Sequence, residues 1–529
     1  AVDLAVAVAE VVVAIKFFLK NNYMNKMKSF LILCVFSVTA LNLKAQVAED
    51  IVKYTWFLPN GTSRFNGVAG SMTALGGDLS ALNTNPAGLG FLRKAEFYIS
   101  GNFVFSENEN SFRGTSTTYN SSIRSNFTNF GFSVPIARSK WTFAFSINQI
   151  ANYNKTTNFQ GQNNISSITN KWLEDLTLPT PLDTSTALGA FPFGASLALY
   201  NYLIDTSNAA PFYKTLVPYN TIGTNQVYNK VERGGMTEYA LGFGGVIGTK
   251  FSVGFSLIIP NVNYTRSLIY GETPTVSGSG FKYLTYTENY STYGTGLGLK
   301  IGGIYKPHPR VNIGVSLHTP QVIYLTDQIY TSLTSNVGAY DNNIDRQTTS
   351  DNLNNYSPGE VNYAYRTPGR TQLSGAYLFG NLTEIKKLKG FVSAEVEYID
   401  FSTARYSSAE QYDGNLSNYF NDLNDVLSSY YQNTLNFRIG AEIAIDGWAF
   451  RGGFASYPSP YSQSAFKAVR NYLNFGFGYR GKSSYIDVTL TNSFTDDVQF
   501  PYRVSTLPNT YAQTYSATTN LNITWGVRF

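Results

Sequence analysis

From about residue 95 to the end, the chain repeats one pattern: short stretches in which apolar and polar residues alternate, each closed by turn-forming residues. Trp141, Phe143, Phe145 and Ile147 share one face of such a stretch, and Thr142, Ala144, Ser146 and Asn148 share the other. Likewise Val311, Ile313, Val315 and Leu317 oppose Asn312, Gly314, Ser316 and His318. The last stretch places Leu521, Ile523, Trp525, Val527 and Phe529 on one face and ends on that aromatic. A period of two marks strands whose faces meet unlike surroundings. Beyond the first 45 positions no apolar run approaches the roughly 20 residues that a membrane helix needs. A transmembrane barrel reconciles strands with an absence of apolar runs, because each strand is apolar only towards lipid.

Composition narrows the class further. Charged residues are 14% of the chain, against roughly 25% in soluble domains, while 39 Tyr and 37 Phe supply strand formers. A mean hydropathy of −0.14 is too polar for a helical membrane protein. The net charge of +5 comes without a basic run, which argues against nucleic acid as a partner. Cys34 is the only cysteine, so no disulfide framework is expected.

Residues 24–45 read as a cleaved signal peptide: Lys26 and Lys28 precede an apolar stretch at 30–41, and Ala45 stands at the cleavage point before Gln46. A lipoprotein reading at Cys34 is disfavoured by the bulky Leu33 before it. Residues 1–23 read as upstream sequence outside the fold.

Counting alternating segments predicts an all-β, membrane-spanning antiparallel β-barrel of about fourteen strands, an even number as bacterial barrels require. The expected spans are 95–105, 127–136, 141–150, 236–247, 251–269, 285–306, 311–325, 361–380, 389–406, 433–445, 448–457, 471–480, 484–495 and 520–529. Short links at 137–140, 248–250, 306–310, 446–447 and 481–483 alternate with long ones at 151–235, 326–360, 407–432 and 496–519. Short periplasmic turns and long outer loops produce that alternation. The 151–235 loop, with short helices expected at 168–176 and 194–203, is long enough to cap the barrel. Residues 95–529 are therefore the barrel. Residues 46–94, rich in Gly and small residues, read as a periplasmic tail or as an N-terminal hatch in the lumen, and the compact run at 69–92 without a disorder signature favours the hatch.

The run at 70–89, Gly-Ser-Met-Thr-Ala-Leu-Gly-Gly-Asp-Leu-Ser-Ala-Leu-Asn-Thr-Asn-Pro-Ala-Gly-Leu, resembles the hatch of the FadL/TodX outer-membrane transport family. Its most specific part is Asn85-Pro86-Ala87-Gly88, preceded by Asn83. Further similarity lies in 296–307, in Ile313-Gly314 with Thr319-Pro320, in Tyr365-Arg366-Thr367-Pro368, and in 436–442. The resemblance implies a fourteen-stranded barrel in the bacterial outer membrane, with an N-terminal hatch. It also implies passive uptake of small hydrophobic molecules, fatty-acid-like, with lateral exit into the membrane. A hydrophobic or detergent-like ligand, outer-membrane lipid, lipopolysaccharide and the barrel-assembly machinery are the implied partners. The alternative is an accessory barrel of a protein-secretion or surface-attachment system of type IX kind, binding protein partners.

Candidate residues follow. For ligand capture in the 151–235 loop these are Phe191, Phe193, Leu197 and Leu199. Strand phase points Glu395, Glu397, Arg438, Glu442, Arg451, Arg480, Asp487 and Arg528 to the lumen. There they form a bracing salt-bridge network or offer one Arg to a substrate carboxylate. The Asn85-Pro86-Ala87-Gly88 motif is a turn fixed by Pro and Gly, or a hatch element abutting a lateral opening. His308 and His318 are too sparse for a metal or haem site, and no cofactor is expected. The glycines at 294, 296 and 298 sit in a strand pattern and are expected to leave lumen space rather than bind phosphate. No nucleophile triad is evident, so the chain is not expected to be an enzyme.

Overall fold

The computed structural model describes residues 53–529, except 56–59, 121–122, 208–211, 355, 382–383, 385, 410–413 and 463–467. Residues 1–23, the signal-peptide reading at 24–45 and Cys34 fall outside the described residues. Fourteen barrel strands follow one another, five of them made of two pieces. They are β1 Glu96–Phe112, β2 Thr115–Asn120 with Arg124–Pro135, β3 Trp141–Asn152 with Lys155–Asn163, β4 Thr224–Ile247, β5 Phe251–Pro274 and β6 Tyr283–His308. Next come β7 Val311–His318 with Val322–Asn336, β8 Gly359–Arg366 with Gly369–Gly380, and β9 Lys389–Asp400 with Arg405–Ser408. The ring is completed by β10 Thr434–Ile445, β11 Trp448–Tyr457, β12 Arg470–Arg480, β13 Ser484–Gln499 and β14 Ala512–Arg528. Each pairs antiparallel with the next, and β14 returns to β1 in a register from Glu96↔Arg528 to Ser111↔Gln513. The barrel is closed, with the strand number that the alternation predicts.

Closure explains the alternating sequence. Outward positions such as Ile99, Phe255, Ile301, Phe475 and Trp525 are exposed, while their neighbours in sequence turn inward. In lipid that outer surface is the favourable one, and where the strands pair, the ladder satisfies their backbone groups. At the tight end, Asp446 and Gly447 both adopt positive φ, 48° and 86°, as the two-residue turn between β10 and β11 demands.

The wall is uneven in height. β4, β5 and β6 run for 24, 24 and 26 residues, more than twice the 9–11 or so that cross a bilayer. β10 to β12 have only 12, 10 and 11. The 151–235 loop is consequently shorter than expected: its ends are strand, with Lys155–Asn163 paired to β4 from Glu232 to Thr224. Above the membrane a strand need not alternate in hydrophobicity, so these Asn- and Tyr-rich extensions read as loop.

The remaining connection folds on itself. Helix α1, Ile168–Thr177, starts in a capping box of Ser167 and Asn170 and buries Ile168, Trp172 and Leu176, spaced four apart. With α2 Thr184–Ala190 and α3 Ala195–Tyr200 it forms a core that includes Leu197, Leu203, Phe112 and Phe159. A further helix, α4 Gly414–Tyr430, lies in the link expected as loop at 407–432 and buries Phe420, Leu423 and Leu427.

Candidate binding cavity and the segment beneath it

Three neighbouring strands break at one height. β7 is interrupted at Thr319-Pro320-Gln321, β8 at Thr367-Pro368 and β9 at 401–404. Proline cannot donate to a ladder, and the broken ends are tied across: Thr367 N donates to the Gln321 carbonyl at 2.9 Å, and Gln321 N to Thr367 Oγ1 at 2.9 Å. Beyond the breaks, Tyr363, Tyr365 and Tyr406 turn into the lumen and pack with Tyr54 and Phe420. The same break settles the glycines of β6. A Cβ at Gly294 or Gly296 would overlap the carbonyl oxygens of Tyr324 and Val322 in β7. They make room for a crossing backbone, and not for lumen as the sequence suggested.

Residues 60–92 lie inside the ring, held by inward side chains all round it. Ser252, Ser256, Ser316 and Ser393 donate to the carbonyls of Ala87, Leu82, Thr84 and Ser71 at 2.6–2.9 Å. Lys300 Nζ reaches the Asn83 carbonyl at 2.9 Å, and His318 Nε2 donates to the Thr84 carbonyl at 2.7 Å. Buried backbone needs such partners, and here short wall residues supply them.

The Asn-Pro-Ala-Gly motif is the most tightly docked part. Asn85 caps the turn Pro86–Phe91, accepting from Ala87 N at 3.1 Å. Its Nδ2 donates to the carbonyls of Thr73 at 2.7 Å and Gly303 at 3.2 Å. Asn83 Nδ2 donates to Ser146 at 2.9 Å. Facing the motif is a cradle without side chains: a Cβ on Gly244, Gly254 or Gly302 would overlap Pro86 or Asn85, and one on Gly314 would overlap Thr73. Gly88 in turn lies against Gly76, whose φ of +64° only glycine adopts freely. The motif thus sits on β4 to β7.

Of the eight charged residues assigned to the lumen by strand phase, seven pair in two clusters. Arg438 bridges Glu395 at 2.5 Å and Glu397 at 2.7 Å, and all three are buried. Arg451 bridges Glu442 at 2.5 Å and Asp487 at 2.6 Å, and Arg480 reaches Asp487 at 3.4 Å. The second cluster includes a residue that strand phase could not reveal, Arg64 of the N-terminal segment, 2.9 Å from Glu442. Thr73 N also donates to Glu395. Arg528 stands apart from both clusters and pairs with Glu96 at 2.9 Å.

Above residues 60–92 the barrel encloses a cavity of about 1350 Å³, larger than the roughly 300–1,000 Å³ of ordinary small-molecule sites. Of the four capture candidates, Phe191 and Phe193 line it, together with Trp172. Leu197 and Leu199 are buried in the loop's own core. Tyrosines missed from sequence, among them Tyr264, Tyr286, Tyr363 and Tyr457, complete the aromatic lining. Beside the cap, Asp183 begins α2; hydrogen bonds from Ser185 and Thr186 hold its carboxyl well below the ordinary carboxylate range.

One side of the cavity meets an interruption in the wall. β2 and β3 pair from Pro135↔Thr142 to Asn129↔Asn148, and among the described residues they do not pair beyond that point. Asn129 and Asn148 turn inward there and donate to the carbonyls of Gly61 and Asn60 at 2.6 and 2.7 Å. Higher up the wall joins again, through Asn110 Nδ2 on the Asn158 carbonyl at 3.0 Å and the Phe112–Phe159 ring contact at 4.9 Å. Asn126, Gln149 and Ile150, at the interruption, all line the cavity.

The chain is similar to a solved structure, that of a Pseudomonas aeruginosa FadL homologue. The TM-score is 0.50 at 13% identity, over 88% of this chain and 98% of that one. This is the FadL-type fold. Toluene transporters TodX of P. putida and TbuX of Ralstonia pickettii are also similar, at 12% and 15% identity and TM-scores of 0.47 and 0.46. Each is covered over 99% of its length, by 89% of this chain. No protein-family model and no curated protein matches the sequence. In the FadL-type barrel described here, no group of three or more His, Cys, Asp or Glu among the described residues is placed to hold a metal. His308 merely accepts from Arg310 N in its turn.

Proposed function

We propose that the chain is an outer-membrane channel for small hydrophobic molecules, in which residues 46–94 act as a hatch and the β2–β3 interruption is the exit. The observation that carries this reading is a large aromatic cavity with a filled lumen beneath it and an unpaired stretch of wall beside it. A solute that enters among the outer loops meets the hatch below, and the break in the ladder is the shorter way out. Sideways release suits an apolar solute, which gains by moving directly into hydrocarbon instead of crossing an aqueous pore. The FadL-type fold, shared with the P. aeruginosa FadL homologue, supports the same assignment.

No energy-coupling partner is invoked; the solute's own gradient drives flow. Uptake by cells expressing the full chain, measured with a labelled monoaromatic or medium-chain fatty acid, tests the reading. Uptake should depend on the protein and fall when bulky residues replace Ile150 and Asn126 beside the interruption. Unchanged uptake after deletion of 46–94, or uptake equal to that of cells without the protein, would refute it.

A further inference from the structure

The cavity has two unlike walls. The tall side and the cap supply Trp172, Phe191, Phe193 and Tyr286, with Tyr363 and Phe420 beside them. The opposite side, from β12 through β13, β14 and β1 to β2, supplies mostly amides and hydroxyls, with Arg470, Asp497 and Arg124 at its margins. Their registers make a continuous belt: Asn474 pairs with Thr491, Thr491 with Asn520, Asn522 with Asn102, and Asn102 with Asn126. All six line the cavity. An apolar solute gains nothing from such a surface, because covering amides without replacing their hydrogen bonds costs free energy. Asn520 Oδ1 is already buried without a partner, an acceptor awaiting a donor.

Charge is arranged differently. On the aromatic side Lys230 pairs with Glu232 at 3.0 Å and Arg266 with Glu288 at 2.7 Å. Asp327 accepts from Tyr290 and Thr292 at 2.5 and 2.6 Å. These ionic groups are matched within the protein. Arg124 and Lys155 also reach the cavity, so an anionic ligand is the competitor to be tested.

Resting on the channel reading, we infer that the preferred ligand is a neutral amphiphile whose polar part carries several hydroxyls, of the alkyl-glycoside class. Its apolar tail lies against the aromatic wall, where sugar C–H faces also stack. Its hydroxyls meet the belt, each able to donate to an amide oxygen and accept from an amide nitrogen. Neither an unsubstituted hydrocarbon nor a fatty acid uses both walls.

The test uses the full-length barrel in lipid nanodiscs and calorimetric titration with hexyl glucoside, hexanoate and toluene. Hexyl glucoside should bind at least tenfold more tightly than either of the others. Asn520→Leu combined with Thr491→Val should weaken hexyl glucoside by tenfold or more and leave toluene within twofold. Phe191→Ala should weaken all three. Should the double variant fold poorly, Asn102→Ala alone should lower glucoside affinity selectively. Hexanoate or toluene binding as tightly as the glucoside, or belt variants without selective effect, overturns the inference while leaving the channel reading intact. If none of the three probes binds, both fall.

Discussion

Replacing Asn85 by alanine removes one side chain and several contacts at once. Its amide donates to the Thr73 and Gly303 carbonyls and accepts from Ala87 N, all inside the barrel. A buried polar group deprived of its partner costs about 1–3 kcal/mol, and Thr73 O and Ala87 N both lose theirs. Gly303 O is also paired through the wall, so it adds little. The loss is about 2–4 kcal/mol once relaxation is allowed. At about 1.4 kcal/mol per factor of ten, a displaced state of residues 60–92 should become roughly 30- to 1,000-fold more populated. The barrel itself should persist, because none of its ladders involves Asn85. Single-channel conductance in planar bilayers reads the outcome. Openings rare in the native chain should be frequent in Asn85→Ala, and entry of large polar antibiotics into expressing cells should rise in parallel. Gly302→Val, which pushes a side chain into the place of Asn85 Oδ1, should behave alike. Native-like conductance in both variants would refute the claim that this docking retains the segment. A barrel that fails to form would refute the claim that docking and wall are energetically separate.

Arg438→Met leaves Glu395 and Glu397 buried without their cation. It should destabilise the barrel by about 3–5 kcal/mol, read as a lower unfolding temperature in the heat-modifiable gel shift. Met with Glu395→Gln and Glu397→Gln together should recover much of that loss. In the cap, Phe191→Ala and Phe193→Ala should weaken ligand binding in titrations without altering protease resistance. Leu197→Ala, removing a side chain from the cap's core, should expose the cap to protease, by about 2–5 kcal/mol. The Asp183 carboxyl is depressed in the folded cap relative to the unfolded chain. Its contribution is therefore present above the ordinary value of 3.8 and lost as pH falls through its lower folded value. Limited proteolysis of the cap should accelerate on acidification below pH 3.8, and Asp183→Asn should remove that dependence.

Lipid and lumen impose opposite demands on successive residues of one strand, so the wall's sequence announced it. Trp141 to Asn148 and the 521–529 stretch are strands wherever two such environments exist. The same phase placed Glu395, Arg438, Arg451 and Asp487 inward, and in the fold all four are buried. Beyond the membrane the constraint disappears. Thr224 to Gly235 is as much strand as the rest of β4, yet its buried face carries the polar Thr224 and Gln226 beside Tyr228, so it shows no apolar period. Helix α4 was hidden for a related reason: its Asn- and Ser-rich sequence has low helix propensity, and three apolar residues hold it in place. Pairing across the chain was equally unreadable. Arg64 meets Glu442 over 378 positions, and the belt from Asn474 to Asn126 exists only after closure. The glycine cradle left a trace in glycine frequency, but only coordinates show which glycines face a backbone.

The ion pairs of β9 to β13 also distribute stiffness around the ring. Arg451 on β11 reaches Asp487 on β13, passing over Gly478 of the strand between them. A tie between strands that are not adjacent acts as a cross-brace, resisting shear that ladder bonds alone would permit. Across the lumen, β2 and β3 lack even their own ladder beyond Asn129 and Asn148 among the described residues. A cylinder braced on one arc and slit on the other deforms where it is weak, so thermal motion of the whole wall is channelled into widening and narrowing of that slit. Rigidity on one side thereby gives direction to movement on the other.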